Sequence, residues 1–198
     1  MIPLPSGLPV LNSEPPALDL VNTHLVLADT WVDLLEDSAG RTEWLAMETE
    51  RMGLDVDPRT LTDADWRTLQ ELRDHAAATI EAARHEKRPP RRAVSALNDV
   101  AAAAPAASRA RWDGTRLVAA PHRSGPVGSR VAAGFADAAV ELLTSPNILK
   151  VRRCEAPACV VRFLARNPRR RWCTPEICGN RARVARYYMR RKAEANAR

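Results

Sequence analysis

Aromatic residues are scarce in this chain: nine among 198, five of them tryptophan. An interior with so few large rings must be built from aliphatic side chains and alanine, which favours closely packed helices. Glycine is rare too, with 8 residues. The sequence holds no glycine-rich phosphate loop, no G-x-S-x-G turn and no His-Glu-x-x-His pair. The four histidines, His24, His75, His85 and His122, are dispersed. The acidic residues are scattered and no pair of them stands out as a dyad. With no mechanistic motif, the expectation is a protein that is not an enzyme. No apolar run approaches the roughly 20 residues a membrane span needs, so no membrane partner is expected. The opening Met1-Ile-Pro-Leu-Pro has neither a basic start nor an apolar core. It does not resemble a secretion signal, and a cytoplasmic location is expected.

Cysteine is equally sparse, but all four residues fall in one short stretch: Cys154, Cys159, Cys173 and Cys178. They read C-x4-C-x13-C-x4-C, two close pairs separated by an insert. Thiolates are soft ligands, and four in a tetrahedron suit one Zn2+. Pro157 and Pro175, one inside each pair, restrict the backbone where it must turn around a metal. The insert Val160–Trp172 is long enough for a hairpin that returns the second pair to the first. The alternatives are two disulfides, which need an oxidising compartment, or four buried free thiols, which have no reason to cluster. Four cysteines leave no open coordination position, so a zinc here is structural.

Charge divides at nearly the same place. Residues 1–147 hold 15 Lys and Arg against 21 Asp and Glu, a net of −6. Residues 148–198 hold 15 against 3, a net of +12. So positive a segment favours an anionic partner, and nucleic-acid phosphate is the usual one. A solvated basic tail is the plainer alternative.

The tetrad Cys178-Gly-Asn-Arg181, the approach Arg170-Arg171-Trp172 before Cys173 and the basic helix beyond resemble the CGNR zinc finger. The front of the chain resembles the ABATE domain that accompanies it. That likeness rests on Ala17-Leu-Asp-Leu-Val-Asn-Thr and on a Trp44-Leu45 helix ending near Gly53-Leu54. The resemblance implies a treble-clef-like finger in a transcription regulator. The insert Ala165-Arg-Asn-Pro-Arg is shorter and more proline-restricted than the family's usual loop.

Along the chain, the proline-rich residues 1–16 read as an extended lead-in pinned by Leu8, Val10 and Leu11. Residues 17–27 read as a buried helix or a strand, which periodicity alone does not separate, with helix favoured. Asp19 and Asn22, three apart on one helical face, suggest a small polar pocket, and backbone-satisfying hydrogen bonds are the plainer role. Asp29 or Thr30 caps a short helix through Leu35. A second helix covers 42–52, with Gly53 as its stop. Thr62 and Asp65 form a capping box for the longest helix, to about Glu86, with Trp66, Leu69, Leu72, Ala76, Ile80 and Ala83 on its apolar stripe. A helix over 91–104 follows, with Val94, Leu97, Val100 and Ala101 as its stripe. A hairpin over 109–119 turns at Asp113-Gly114, with Trp112 and Leu117 covering the core. Another helix runs from Gly128 to Leu143. Ser145-Pro146-Asn147 marks the expected boundary between domains 1–147 and 148–198, and Ile148–Val151 reads as a short strand.

The last helix, Pro175 to Lys192, places Arg183, Arg186 and Arg190 along one side. Val184 and Tyr188 lie on another side and are expected to pack on the finger or the front domain. Arg169, Arg170 and Arg171 add a second basic cluster, and Arg181, Arg191 and Lys192 extend the first. Arg181 serves equally well as a brace for the metal site. The expected architecture is α+β, mostly helical, with a small C-terminal four-cysteine module. The expected function is zinc-dependent DNA binding in transcription control, with a front domain that senses a small-molecule effector or mediates homodimerisation. RNA binding, and a protein-interaction module that docks an acidic partner or its own front domain, are the alternatives.

Overall fold

The computed structural model describes residues 13–27 and 30–196. The expected anchors Leu8, Val10 and Leu11, and the candidate cap Asp29, lie outside them. Helices dominate: α1 (Pro16–Asn22), α2 (Ser38–Arg51), α3 (Asp63–Ala83), α4 (Arg91–Ala103), α5 (Val127–Thr144) and α6 (Asn180–Asn196). Three antiparallel pairs complete the described chain: β1 (His24–Leu27) with β2 (Thr30–Asp33), β3 (Ala106–Trp112) with β4 (Leu117–Arg123), and β5 (Val151–Arg153) with β6 (Arg162–Leu164). Among the described residues no helix is long and apolar enough to cross a membrane.

The capping box forms at α3: the Thr62 hydroxyl accepts from the Asp65 amide, and the Asp65 carboxylate accepts from the Thr62 amide. Trp66, Leu69, Leu72, Ala76 and Ile80 of α3 are buried, while Ala83 packs at the edge. α3, α4 and α5 pack on one another, and α1 lies against α3 and α5. Trp44 of α2 stacks on Phe135 of α5, rings 5.5 Å apart and 14° from parallel. The apolar interior continues without a break through Ile148, Val151, Val161 and Phe163 to the four cysteines. A short 3-10 turn, Pro146–Lys150, carries the chain across and replaces most of the strand expected over 148–151.

Other local expectations are corrected. The apolar run 17–27 is not one helix: α1 ends at Asn22, and His24–Leu27 forms a strand instead. Thr23 closes the helix, its hydroxyl donating to the Leu20 carbonyl at 2.7 Å. Residues 30–35 open as strand β2, because Thr30, Trp31 and Val32 pair in register with Leu27, Val26 and Leu25. In the β3–β4 hairpin, Trp112 pairs with Leu117, so four residues form the turn. The Asp113 carboxylate accepts from the amides of Thr115 and Arg116, and Gly114 has φ of 106°, a conformation open to glycine. Trp112 and Leu117 do not cover the core; they are 61 % and 69 % exposed, because this hairpin stands off the helices.

The front body is joined to the cysteine module by buried polar contacts. The outer edge of β6 offers the amides of Arg162 and Leu164, and unpaired buried amides are costly. Asn22 bonds Arg162 twice, donating to its carbonyl at 2.8 Å and accepting from its amide at 2.9 Å. Glu14 accepts from the Leu164 amide at 2.8 Å and from Arg170 Nη2 at 2.8 Å. Arg51 donates to the Glu14 carbonyl, to Asp19 and to Glu48. Asp19 and Asn22 are therefore buried hydrogen-bonding posts, the plainer of the two roles expected for them.

One guanidinium, Arg51, serves two buried carboxylates. Burial pushes Asp19 up to about 8, against the opposing pull of its Arg51 hydrogen bond. Burial likewise pushes Glu48 up to about 7, and Glu48 Oε2 lacks a hydrogen-bond partner among the described residues. Both folded values lie above the unfolded ones of 3.8 and 4.5, so folding tightens the hold on protons. That contribution is complete below about pH 4 and is lost as pH rises through about 7 to 8. Glu48→Gln removes the second charge. Denaturant melts between pH 5 and 9 are expected to show the wild type losing stability relative to Glu48→Gln as pH rises, on the order of 2 kcal/mol. A difference that stays flat across that range contradicts the shared-cation arrangement.

Candidate metal centre and basic helix

Strands β5 and β6 form a knuckle whose loop carries the first cysteine pair. The Cys154 amide donates to the Val161 carbonyl, and the Cys159 amide to the Ala156 carbonyl. Ala158 reverses the chain at φ 58°. The insert does not pair with itself. Its residues 162–164 pair with β5, and the following turn at Asn167–Arg170 brings the chain back beside the knuckle, where the Glu155 amide donates to the Arg171 carbonyl. Of the second cysteine pair, Cys173 precedes and Cys178 lies within a π-helical turn, Pro175–Gly179, that leads directly into α6. The amides of Cys178 and Gly179 both donate to the Thr174 carbonyl. A Cβ on Gly179 would come within 3.3 Å of the Trp172 ring, so glycine eases this close approach.

All four sulfurs lie within 4.8 Å of one another, and all four cysteines are buried and free of disulfides. Three of the separations are Cys173–Cys178 at 3.4 Å, Cys159–Cys178 at 3.8 Å and Cys159–Cys173 at 3.9 Å. Sulfurs bound at about 2.3 Å to a tetrahedral zinc are separated by about 3.8 Å, so this cluster fits that ion. The Cys173 amide points at Cys154 Sγ from 3.4 Å, a donor suited to a thiolate. Without a cation the sulfurs compete for one negative charge. Hydrogen bonds from Cys159 and Cys173 lower the Cys154 thiol, while bonding to Cys154 pushes Cys159 and Cys173 up. A divalent cation resolves the competition by stabilising every thiolate at once. The cluster is a site for one structural Zn2+, held by Cys154, Cys159, Cys173 and Cys178, and it leaves no position for a substrate. What the ion supplies is a crosslink between knuckle and helix.

The nine candidate cations divide by environment. Arg170 turns inward: besides Glu14 it donates to the carbonyls of Cys173 at 2.7 Å and Trp172 at 3.2 Å, and it lies over the Phe163 ring. That removes it from the nucleic-acid surface expected of it, since its donors face protein acceptors. Arg171 bonds Glu155 at 2.6 Å, and Arg181 donates to the knuckle carbonyl of Pro157 at 3.4 Å, the bracing role. Arg169, Arg183, Arg186, Arg190, Arg191 and Lys192 are exposed and meet no carboxylate among the described residues. Arg186 reaches back to the Ala182 carbonyl, and Arg191 lies over Tyr187. Beyond the π turn, α6 leaves the body. Val184 and Tyr188 are 47 % and 66 % exposed, so the packing expected for that side is absent.

Two family models match the chain. Residues 14–146 match ABATE, described as "Putative stress-induced transcription regulator", and residues 150–191 match the CGNR zinc finger. The chain belongs to the ABATE family and carries a CGNR zinc finger. No curated protein matches it. In this ABATE–CGNR protein the knuckle, the second cysteine pair and the helix entered from it give the finger its treble-clef-like form. Sequence reasoning missed Glu14, which with Asn22 ties the finger to the front body, because its partners Leu164 and Arg170 lie 150 and 156 positions away.

Cys173→Ser removes a thiolate and leaves a hard, protonated ligand. Elemental analysis of the purified variant is expected to find the zinc lost. Its thermal midpoint should fall while most of the helical signal survives, since α1 to α5 pack without the ion. Stoichiometric zinc in the variant contradicts the ligand set.

Proposed function

We propose that this protein is a zinc-dependent DNA-binding regulator of transcription, with the ABATE body sensing a ligand or mediating dimerisation. The observation that carries the reading is the exposed row Arg183, Arg186 and Arg190 on a helix that leaves the body. At about 100° per residue these three fall within a narrow arc of α6. Such a row suits the phosphates that border a major groove, and a helix is the element that groove admits. Zinc acts by fixing the first turn of α6 on the knuckle, so the row is presented in one orientation. Docking of this row on the acidic front body, the rival interpretation, is disfavoured by its exposure. The reading is of a binding protein and not of an enzyme, in keeping with the closed metal site.

RNA is the second reading. It is favoured by Tyr187 and Tyr188, which are 48 % and 66 % exposed and offer stacking faces to unpaired bases. Competition between duplex DNA and structured RNA at one salt concentration separates the two.

Selection from random duplex fragments with zinc-loaded protein, followed by anisotropy across a salt series, tests the DNA reading. Arg183→Ala/Arg186→Ala is expected to weaken binding and to lower the slope of log affinity against log salt by about 2, roughly one per phosphate contact. An unchanged slope means that the row does not meet phosphate.

A further inference from the structure

A cleft of about 280 Å3 opens where the finger meets the front body. The front body contributes Val21, His24, Trp31 and Arg73 to its lining, and the finger contributes Arg153 and Arg162. Three features of this lining are unusual for a surface that meets only water.

Arg153 and Arg162 are direct partners across β5 and β6. Like charges directly opposite each other destabilise an antiparallel pair. Arg162 reaches one Glu81 oxygen through two long contacts of 3.4 Å, from Nε and Nη2, and the guanidinium nitrogens at the tip of Arg153 meet no carboxylate among the described residues. Burial lowers the Arg162 pKa, and the neighbouring charges of Arg84 and Arg153 lower it further against the pull of Glu81. The second feature is Arg73, which is 5 % exposed and paired through both terminal nitrogens with Asp33 at 2.6 and 2.7 Å. Its Nε is buried without a hydrogen-bond partner among the described residues, 3.6 Å from an Asp74 oxygen on the cleft rim. A buried unmade N–H is costly, and it marks this part of the lining as incompletely satisfied. The third is Trp31, 60 % exposed at the cleft with the His24 ring 4.8 Å away.

We infer that this cleft binds a small aromatic carboxylate, its carboxylate between Arg153 and Arg162 and its ring against Trp31. Arginine presents paired donors that match a carboxylate, and an aromatic ring on Trp31 buries apolar area in a favourable stacking geometry. Asp74 offsets part of the positive charge, so one negative charge on the ligand is sufficient. The volume lies at the low end for ligand sites, which excludes large molecules. Inorganic phosphate would satisfy the arginines and leave Trp31, Val21, Ala77 and Val160 without a partner. A ligand here touches both the front body and the finger, so its binding strengthens their contact and constrains how α6 is held. The inference rests on the reading of the ABATE body as a sensor and supplies the site and the ligand class.

Calorimetry on the zinc-loaded full chain, with no DNA present, tests it using benzoate, inorganic phosphate and benzylamine. Benzoate is expected to bind saturably at one site, phosphate at least about tenfold more weakly, and benzylamine not at all. Trp31→Ala and Arg153→Gln should each weaken benzoate about tenfold with zinc content and helical signal unchanged, and Trp31→Phe should restore most of the affinity. Benzoate bound with an affinity that both substitutions leave unchanged places the ligand elsewhere; that overturns the cleft and spares the sensor. Phosphate bound as tightly as benzoate, with Trp31→Ala silent, overturns the aromatic assignment. Absence of heat with benzoate up to about 10 mM overturns the inference and leaves the DNA reading standing, because that reading is measured separately.

Discussion

Four buried sulfurs converge on one point, and the C-terminal quarter of the chain takes its form from that convergence. A knuckle of two three-residue strands and one turn has too little apolar area to fold alone. Joining it to the start of α6 through a single cation supplies the missing cohesion. The sulfur cluster sits at the edge of the molecule's continuous interior, with Val161 and Phe163 leading from it to the front helices. The metal therefore does two things: it closes the knuckle and it fixes the direction in which an arginine-rich helix leaves the body.

The finger is also held from the other side. Glu14 and Asn22 supply the partners that the outer edge of β6 would otherwise lack. Glu14 also receives Arg170, which in turn donates to the carbonyl of the ligand Cys173. A run of hydrogen bonds thus extends from Arg51 in α2 through Glu14 to the rim of the metal site. Such buried polar contacts add orientation more than net stability, because desolvation offsets much of their attraction. Together with the cleft beside Arg162, they make the junction the place where an event in the front body can reach the arginine-rich helix.

What could be read from sequence was local. The cysteine spacing, the Thr62–Asp65 cap and the Asp113-Gly114 turn each involve residues close along the chain, and each is present. The Asp-Gly turn says where a strand reverses, not what it rests on, and so Trp112 and Leu117 stand exposed where the sequence suggests core. The apolar run 17–27 carries helix and strand signals at once; the pairing of Leu25 with Val32 decides the outcome, and pairing is a tertiary fact. Arg169, Arg170 and Arg171 look alike in sequence, yet one faces water, one turns inward to Glu14 and one pairs with Glu155. The opposition of Arg153 and Arg162 is visible only once the register of β5 and β6 is known.

Zinc K-edge X-ray absorption on the purified protein tests the central claim most directly. The account predicts one zinc per chain with four sulfur neighbours at about 2.3 Å and no nitrogen or oxygen in the first coordination sphere. A spectrum with light-atom ligands, or protein that carries no zinc, would contradict it.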